Sequence, residues 1–193
     1  MEKLVCGVGV NDLPYRTEVW EELPKNGGKR VQKLVFRCPY HVKWASMLER
    51  CYSKKFLESN QNYIGTSVCS EWLYASAFKK WMEQQDWDGK SLDKDIIVPR
   101  SKLYSPDTCA FVLKATNSFV IASDASRGEC PIGVHLFKRT GEYRAQCRNP
   151  FTREQEHLGL FSTPQEAHEA WRKRKDELAQ RVAATESDMR VVK

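Results

Sequence analysis

Residues 131–181 read PIGVHLFKRTGEYRAQCRNPFTREQEHLGLFSTPQEAHEAWRKRKDELAQR, and this stretch decides the fold of the C-terminal part of the chain. Three short runs show the alternation of β-strands, each is closed by a turn, and they lie at 133–137, 143–148 and 156–161. A charged amphipathic helix then begins at Pro164. The pattern predicts a small three-stranded antiparallel sheet that is packed on one C-terminal helix.

The middle run of this sheet has two chemically different faces. Alternation places Tyr143, Ala145 and Cys147 on the side that the helix covers. The opposite side collects basic, polar and aromatic groups from the three runs and the first hairpin tip. These are His135, Phe137, Lys138, Arg139, Arg144, Gln146, Arg148, Gln155 and His157. Arginine pairs with guanine or phosphate and glutamine with adenine, so the face is predicted to bind DNA; a solvated sheet face is the alternative.

The overall composition is that of a folded protein with a moderate positive charge. The chain has 193 residues, of which 41% are hydrophobic, and a formal net charge of +6. This balance is compatible with a polyanionic partner without requiring one. No apolar run has the length of a membrane span, so no membrane partner is expected. The N-terminus lacks a basic region followed by an apolar core, which predicts a cytoplasmic location.

The cysteines favour buried thiols rather than a cross-linked or metal-bound framework. Seven cysteines are spread along the chain, and no CxxC pair occurs. An odd number without paired spacing indicates neither a disulfide scaffold nor a zinc ribbon, so we expect a reducing compartment and no structural zinc.

The whole chain is expected to be an α+β protein with several parts. We predict an N-terminal arm or hairpin, a middle module, a linker, the sheet-and-helix domain and a frayed tail, at 1–39, 40–120, 121–130, 131–182 and 183–193. Helices are expected at 40–52, within 70–85 and from Lys114, and strands at 30–37, 92–98 and 109–113. The polar segment 53–67 is expected to be a loop.

Four tryptophans lie in the middle module, and large aromatic residues are more often core than surface. We therefore expect them to form its core. They are Trp44, Trp72, Trp81 and Trp87.

The C-terminal stretch resembles the AP2-type DNA-binding domain. The resemblance is carried by GVHLFKRTGEYRAQCRNP at 133–150 and HLGLFSTPQEAHEAW at 157–171. It implies that the sheet lies in the DNA major groove and that the helix backs it. His157 stands where the family has tryptophan, and Gln146 stands where it has an acid, so no target sequence is implied.

The middle of the chain is similar to phage-encoded HNH-type homing-endonuclease-like proteins, a class in which AP2-type domains also occur. The similar motifs are WASMLERCY at 44–52, VCSEW at 68–72, LDKDI at 92–96 and YSPDTCAFV at 104–112. The resemblance implies a ββα nuclease module and double-stranded DNA as the partner.

The same resemblance assigns a candidate catalytic group that consists of Asp93, Lys94, Asp95 and Asn117. Lys94 stands where the family has its general-base histidine, and Asn117 has the residue type expected on the helix. Asp93 and Asp95, together with Asp107, would bind Mg²⁺ or another divalent metal, while Lys94 neutralises the phosphate.

A structural role for these residues is the alternative. The aspartates would then form a strand-end ion pair, with a turn or helix cap at Asp107, rather than a metal site. Thr108 lies near the position of the family's loop asparagine, and His41 is a further candidate for a general base.

Three functions therefore remain open from the sequence. The first is a metal-dependent DNA endonuclease, and the second is a non-catalytic DNA-binding protein on a degenerate endonuclease scaffold. The third is a phage protein that binds and inhibits a host protein through the tryptophan-rich module.

Overall fold

A computed structural model describes residues 4–26, 29–120 and 130–191, which form a mixed α+β protein as expected. The chain divides into two compact units. The first contains Met1–Asp88 and Leu92–Phe111, and the second contains Gly89–Ser91 and Val112–Lys193. Residues 112–120 thus belong to the second unit, although we expected them in the middle module. The expected linker lies outside the described residues, except for Cys130.

The first unit begins with an arm and a long hairpin. In the arm, the Val10 N–H donates to the Leu73 carbonyl at 2.8 Å. The hairpin pairs β1 (Glu18–Asn26) with β2 (Lys29–Arg37) in antiparallel register. The strand predicted at 30–37 is confirmed, and residues 27–28 of the predicted turn lie outside the described residues.

Three helices of the first unit follow: α1 (Pro39–Tyr52), α2 (Lys54–Ser59) and α3 (Ala75–Met82). The helix predicted at 40–52 is confirmed, with a proline in its first turn. The loop predicted at 53–67 is wrong at α2, because the Ser53 hydroxyl accepts the Phe56 N–H and caps a short helix there.

The core of the first unit is built on tryptophans, as expected. Trp44 and Trp72 are fully buried, and the Trp44 indole Nε1–H donates to the Trp72 carbonyl at 2.7 Å. Trp81 is half-buried, packs on this core and stacks against Phe111. Trp44 and Trp72 therefore serve the interior, and Trp81 and Trp87 pack on it while partly exposed.

Four short strands and one further helix lie within residues 67–120 of the chain. Parallel β3 (Ser67–Val68) and β5 (Leu103–Tyr104) form one pair. A second pair consists of β4 (Ser91–Asp93) and β6 (Ala110–Val112), and α4 (Lys114–Val120) follows. The strand predicted at 92–98 is wrong beyond Asp93, because the chain turns there. The strand predicted at 109–113 and the helix from Lys114 are confirmed.

The second unit contains the sheet and helix that residues 131–181 predict. The strands β7 (Val134–Phe137), β8 (Glu142–Arg148) and β9 (Gln155–Phe161) form an antiparallel sheet in the order β7-β8-β9. The helix α5 (Pro164–Ala183) contacts all three strands. Thr163 and Glu166 form a capping box at its start, which satisfies two backbone N–H groups.

The polar tail is anchored, in contrast to the frayed end that we expected. Glu186 is buried, and its carboxylate accepts the Leu113 N–H at 3.0 Å and the Thr116 hydroxyl. Lys90 Nζ lies 3.8 Å from the same carboxylate. These hydrogen bonds attach the tail to α4. A buried carboxylate needs hydrogen-bond partners of this kind, because burial without them is costly.

Candidate nucleic-acid interface

The β7-β8-β9 sheet has one covered face and one open face. Ala145 and Cys147 of β8 are buried on the side of α5. We call the opposite side the open face, because directly paired residues of antiparallel strands project to the same side. Three of its cross-strand pairs are His135 with Arg144, Gln146 with His157, and Arg148 with Gln155. The open face consists of His135, Phe137, Glu142, Arg144, Gln146, Arg148, Gln155, His157 and Leu160.

A β-bulge in β9 changes the composition of this face. Ala145 pairs with Gly159 and Gln146 pairs with His157, so Leu158 is left as the extra residue. The Gly159 N–H donates to the His157 Nδ1 at 3.0 Å, which leaves Nε2 as the donor atom of the neutral ring. Beyond the bulge, Leu160 pairs with Arg144 on the open face. Strict alternation would have placed it on the helix side.

An aromatic ring organises the basic end of the open face. The Arg144 guanidinium lies 4.1 Å from the centroid of the Phe137 ring, and the Arg139 guanidinium lies 5.4 Å from it. Cations over a ring face are attracted by its quadrupole, so both side chains are oriented before any ligand binds. The buried Arg144 Nε has no hydrogen-bond partner within the described part of the chain. Lys138 is exposed beside them at the hairpin tip.

The helix side fixes the sheet through one close approach and one ion pair. Gly133 has a φ of +79°, and a Cβ there would come within 2.1 Å of the Trp171 ring. Glu156 accepts from the Arg174 guanidinium at 2.6 and 3.0 Å. These bonds, together with one from Asn149, lower the pKa of Glu156 to about 2. The carboxylate therefore stays charged on the covered side.

The connection between β8 and β9 is organised by Asn149, which is buried. Its Oδ1 accepts the N–H groups of Phe151 and Thr152, and its amide donates to Glu156 at 2.7 Å. The Arg153 N–H donates to the Asn149 carbonyl at 2.9 Å, and Arg153 has a φ of +63°. The loop thus holds an exposed arginine in a defined backbone conformation.

The candidate catalytic residues of LDKDI have local structural roles. Asp93 Oδ1 accepts the N–H groups of Asp95 and Ile96 at 2.8 Å, which caps the turn after β4. Buried Lys94 donates to both carboxylate oxygens of Asp95, at 2.8 and 2.7 Å. Its Nζ also lies 5.7 Å from the Tyr63 ring centroid. The ion pair at the strand end agrees with the structural alternative, whereas the cap lies at Asp93 and that alternative placed it at Asp107.

The other residues of the expected nuclease centre lie in other elements of the chain. Asn117 belongs to the second unit, whereas Asp93, Lys94 and Asp95 belong to the first. Asp107 is exposed in the turn before β6, and the Thr108 hydroxyl donates to the Leu103 carbonyl at 2.7 Å. His41 lies in α1 with its ring tilted against Trp44, and burial lowers its pKa.

A divalent metal does not fit Asp93 and Asp95 as they are arranged. One Asp93 oxygen is committed to two backbone N–H groups, and the ammonium of Lys94 occupies the position that a cation would take beside Asp95. Among residues 4–26, 29–120 and 130–191, no group of three or more His, Cys, Asp or Glu side chains is arranged to hold a metal ion.

Some surface residues of the second unit were not singled out from the sequence. Leu160 reaches the open face only through the bulge, and alternation alone does not reveal a bulge. Lys114 and Arg153 lie beside the open-face residues Arg148 and Gln155 in one cavity. The sequence feature that could have revealed the bulge is Gly159, which follows the extra residue Leu158. Glycine inside a strand often marks a bulge.

Comparisons with protein-family models, curated proteins and solved structures give no match to this chain. No helix within the described ranges is long and apolar enough to cross a membrane.

Proposed function

We propose that this protein binds double-stranded DNA with the open face of its β7-β8-β9 sheet. One observation carries the proposal: three cross-strand pairs of basic and amide side chains lie on one face, while α5 covers the other. A sheet with this arrangement presents donors and cations to a ligand without uncovering its apolar side.

The chemistry of the open face matches what the major groove offers. Arginine donates to guanine O6 and N7, and glutamine pairs with adenine N6 and N7. Arg144 and Gln146 supply these groups on neighbouring outward positions, and Phe137 and Leu160 supply apolar contacts of the kind that thymine methyl groups accept. Lys138 and Arg139 at the hairpin tip are suited to phosphates. The AP2-like character of this unit is part of the proposal and rests on the sequence resemblance.

Phosphodiester cleavage is a second candidate function, favoured by the order of β4, β6 and α4. A strand, a paired strand and a following helix are the ββα order of HNH-type nucleases, which the sequence resemblance also implies. The ion pair of Lys94 with Asp95 and the turn cap by Asp93 weigh against cleavage. The HNH-like scaffold is therefore proposed to support DNA binding without a catalytic centre.

A titration of fluorescently labelled duplex DNA at several salt concentrations tests the proposal. We expect binding whose logarithmic affinity falls linearly with the logarithm of salt concentration, because phosphate contacts release counterions. The double substitution Arg139→Gln/Arg144→Gln should weaken binding. The matched control Arg172→Gln/Lys173→Gln removes two exposed cations from α5 and should bind like the unmodified protein. Equal affinity of the two doubles, or no binding to any duplex, would overturn the proposal.

Incubation of the same duplexes and of plasmid DNA with Mg²⁺ or Mn²⁺ tests the second candidate. Intact DNA with bound protein is the expected result. Cleavage that disappears in both Asp93→Asn and Asp95→Asn would instead establish an endonuclease and overturn the non-catalytic assignment.

A further inference from the structure

The second unit contains a cavity of about 1150 Å³ beside the open face. Its walls come from α4, the start of β7, the β8–β9 loop and one side of α5. This volume exceeds the roughly 300–1,000 Å³ of a pocket for one small ligand, so it accommodates an extended group. We call it the basic cavity.

All charged side chains that line the basic cavity are cations. They are Lys114, Arg148, Arg153 and Lys175, and no aspartate or glutamate lines it within the described part of the chain. Several cations that surround a concave surface concentrate a positive electrostatic potential inside it. The cavity therefore favours anionic ligands.

Three of these cations are available to a ligand and the fourth is structural. Lys114, Arg148 and Arg153 are exposed. Lys175 is half-buried, donates to the Phe119 carbonyl at 2.7 Å and lies against the Phe119 ring, so it fastens α5 to α4. The available charges thus come from three different elements, α4, β8 and the β8–β9 loop.

The basic cavity shares three lining residues with the open face, although others that line it, such as Cys147 and Trp171, lie on the covered side. The shared residues are Gln146, Arg148 and Gln155. A duplex that contacts the open face would reach the cavity at these shared residues. Asn117, which the sequence analysis placed in a nuclease centre, lines the same cavity and offers an amide to a phosphate oxygen.

We propose that the basic cavity is the phosphate-backbone site of the DNA interface, in which Lys114 and Arg153 hold one strand while the open face contacts the bases. This inference rests on the proposed function and extends the interface from the sheet to α4 and the β8–β9 loop. The Arg153 N–H donates to the Asn149 carbonyl, so one of the two cations extends from a defined backbone position.

The double substitution Lys114→Gln/Arg153→Asn tests this assignment. Glutamine keeps the helix propensity of position 114, and asparagine tolerates the positive φ at position 153, so folding should be retained and is checked by circular dichroism. The control Arg172→Gln/Lys173→Gln removes the same charge from residues outside the cavity. The readout is the salt dependence of affinity for duplexes of several unrelated sequences.

We expect the cavity double to weaken binding to all duplexes by a similar factor. Its slope of log affinity against log salt should be smaller by about 2, because each lost phosphate contact contributes about 0.9. The control should keep the slope of the unmodified protein. A slope equal to that of the control would overturn the inference while leaving the proposed function intact. Failure of the proposed function would show as no DNA binding by the unmodified protein, which would overturn both.

Discussion

The β1–β2 hairpin and the β7-β8-β9 sheet differ in the kinds of side chain that they expose to solvent. The hairpin leaves large apolar side chains in solvent, and Trp20, Phe36 and Val19 are 49%, 46% and 43% exposed. The sheet buries Ala145 and Cys147 beneath α5 and presents mainly polar and basic groups on its other side.

This difference indicates which of the two surfaces is better suited to a polyanionic ligand. A sheet that buries one face against a helix can leave its other face polar and remain stable. A two-stranded ribbon does not separate a buried apolar face from a polar face in this way. The hairpin carries charges of both signs, and Glu18 of β1 pairs with Arg37 of β2 at 2.8 Å. We therefore propose the open face of the sheet, rather than the hairpin, as the DNA-binding surface.

The largest expected effect is on the covered side of the sheet. In Gly133→Ala, the new methyl group would overlap the Trp171 ring, and alanine would be strained at a φ of +79°. Overpacking and left-handed strain together should destabilise the second unit by about 3 kcal/mol or more. Native-state hydrogen exchange of the backbone amides of β8 measures this free energy.

A matched control separates the two causes. Gly141 has nearly the same φ, +77°, but a Cβ there would have no heavy atom within 4 Å. Gly141→Ala should cost only about 1–2 kcal/mol from backbone strain. Equal destabilisation by both substitutions would show that the contact between Gly133 and Trp171 does not hold the sheet.

A smaller effect is expected from the ion pair beneath the sheet. The pKa of Glu156 is about 2 in the folded protein, against an ordinary value near 4.5. A lowered pKa means that the stabilisation is fully present above about pH 4.5 and is lost as the pH falls towards 2. Glu156→Gln should therefore lower stability at neutral pH by less than Gly133→Ala, since partly exposed ion pairs gain little.

The pH dependence supplies the check on this prediction. Free energies of unfolding of the unmodified protein and Glu156→Gln should converge between pH 4.5 and 2. A constant difference over this range would contradict a role for the carboxylate charge.

The smallest effect is expected in the hairpin. Trp20→Thr/Phe36→Thr replaces two exposed apolar side chains with residues that suit a strand, so stability should change by no more than about 0.5 kcal/mol. DNA affinity should be unchanged in the titration. A clear loss of affinity would break the comparison, because it would place the hairpin in the interface.

The elements that local sequence defines were predicted from the sequence. The alternation of Tyr143, Ala145 and Cys147 fixed which side of β8 is covered, and Thr163 with Pro164 fixed where α5 begins. Local patterns of this kind predict well because period and capping are set by neighbouring residues.

Features that depend on distant partners were not predicted. The turn at Asp93 is the exception, because its partners Asp95 and Ile96 are local, but the apolar run at Ile96 suggests a strand instead. The anchored tail depends on Glu186 meeting Leu113 and Thr116, some seventy positions earlier. The bulge at Leu158 depends on the register with β8, although Gly159 gives a local signal of it. Tertiary contacts decide the tail and the register.

Selection of bound duplexes from a randomised pool, followed by sequencing, tests the central claim most directly. If the open face lies against base edges, the unmodified protein should enrich a short motif, and Arg144→Gln should relax the preference at one or two positions. The control Lys173→Gln should enrich the same motif as the unmodified protein. Enrichment that is identical for Arg144→Gln and the unmodified protein would contradict the account.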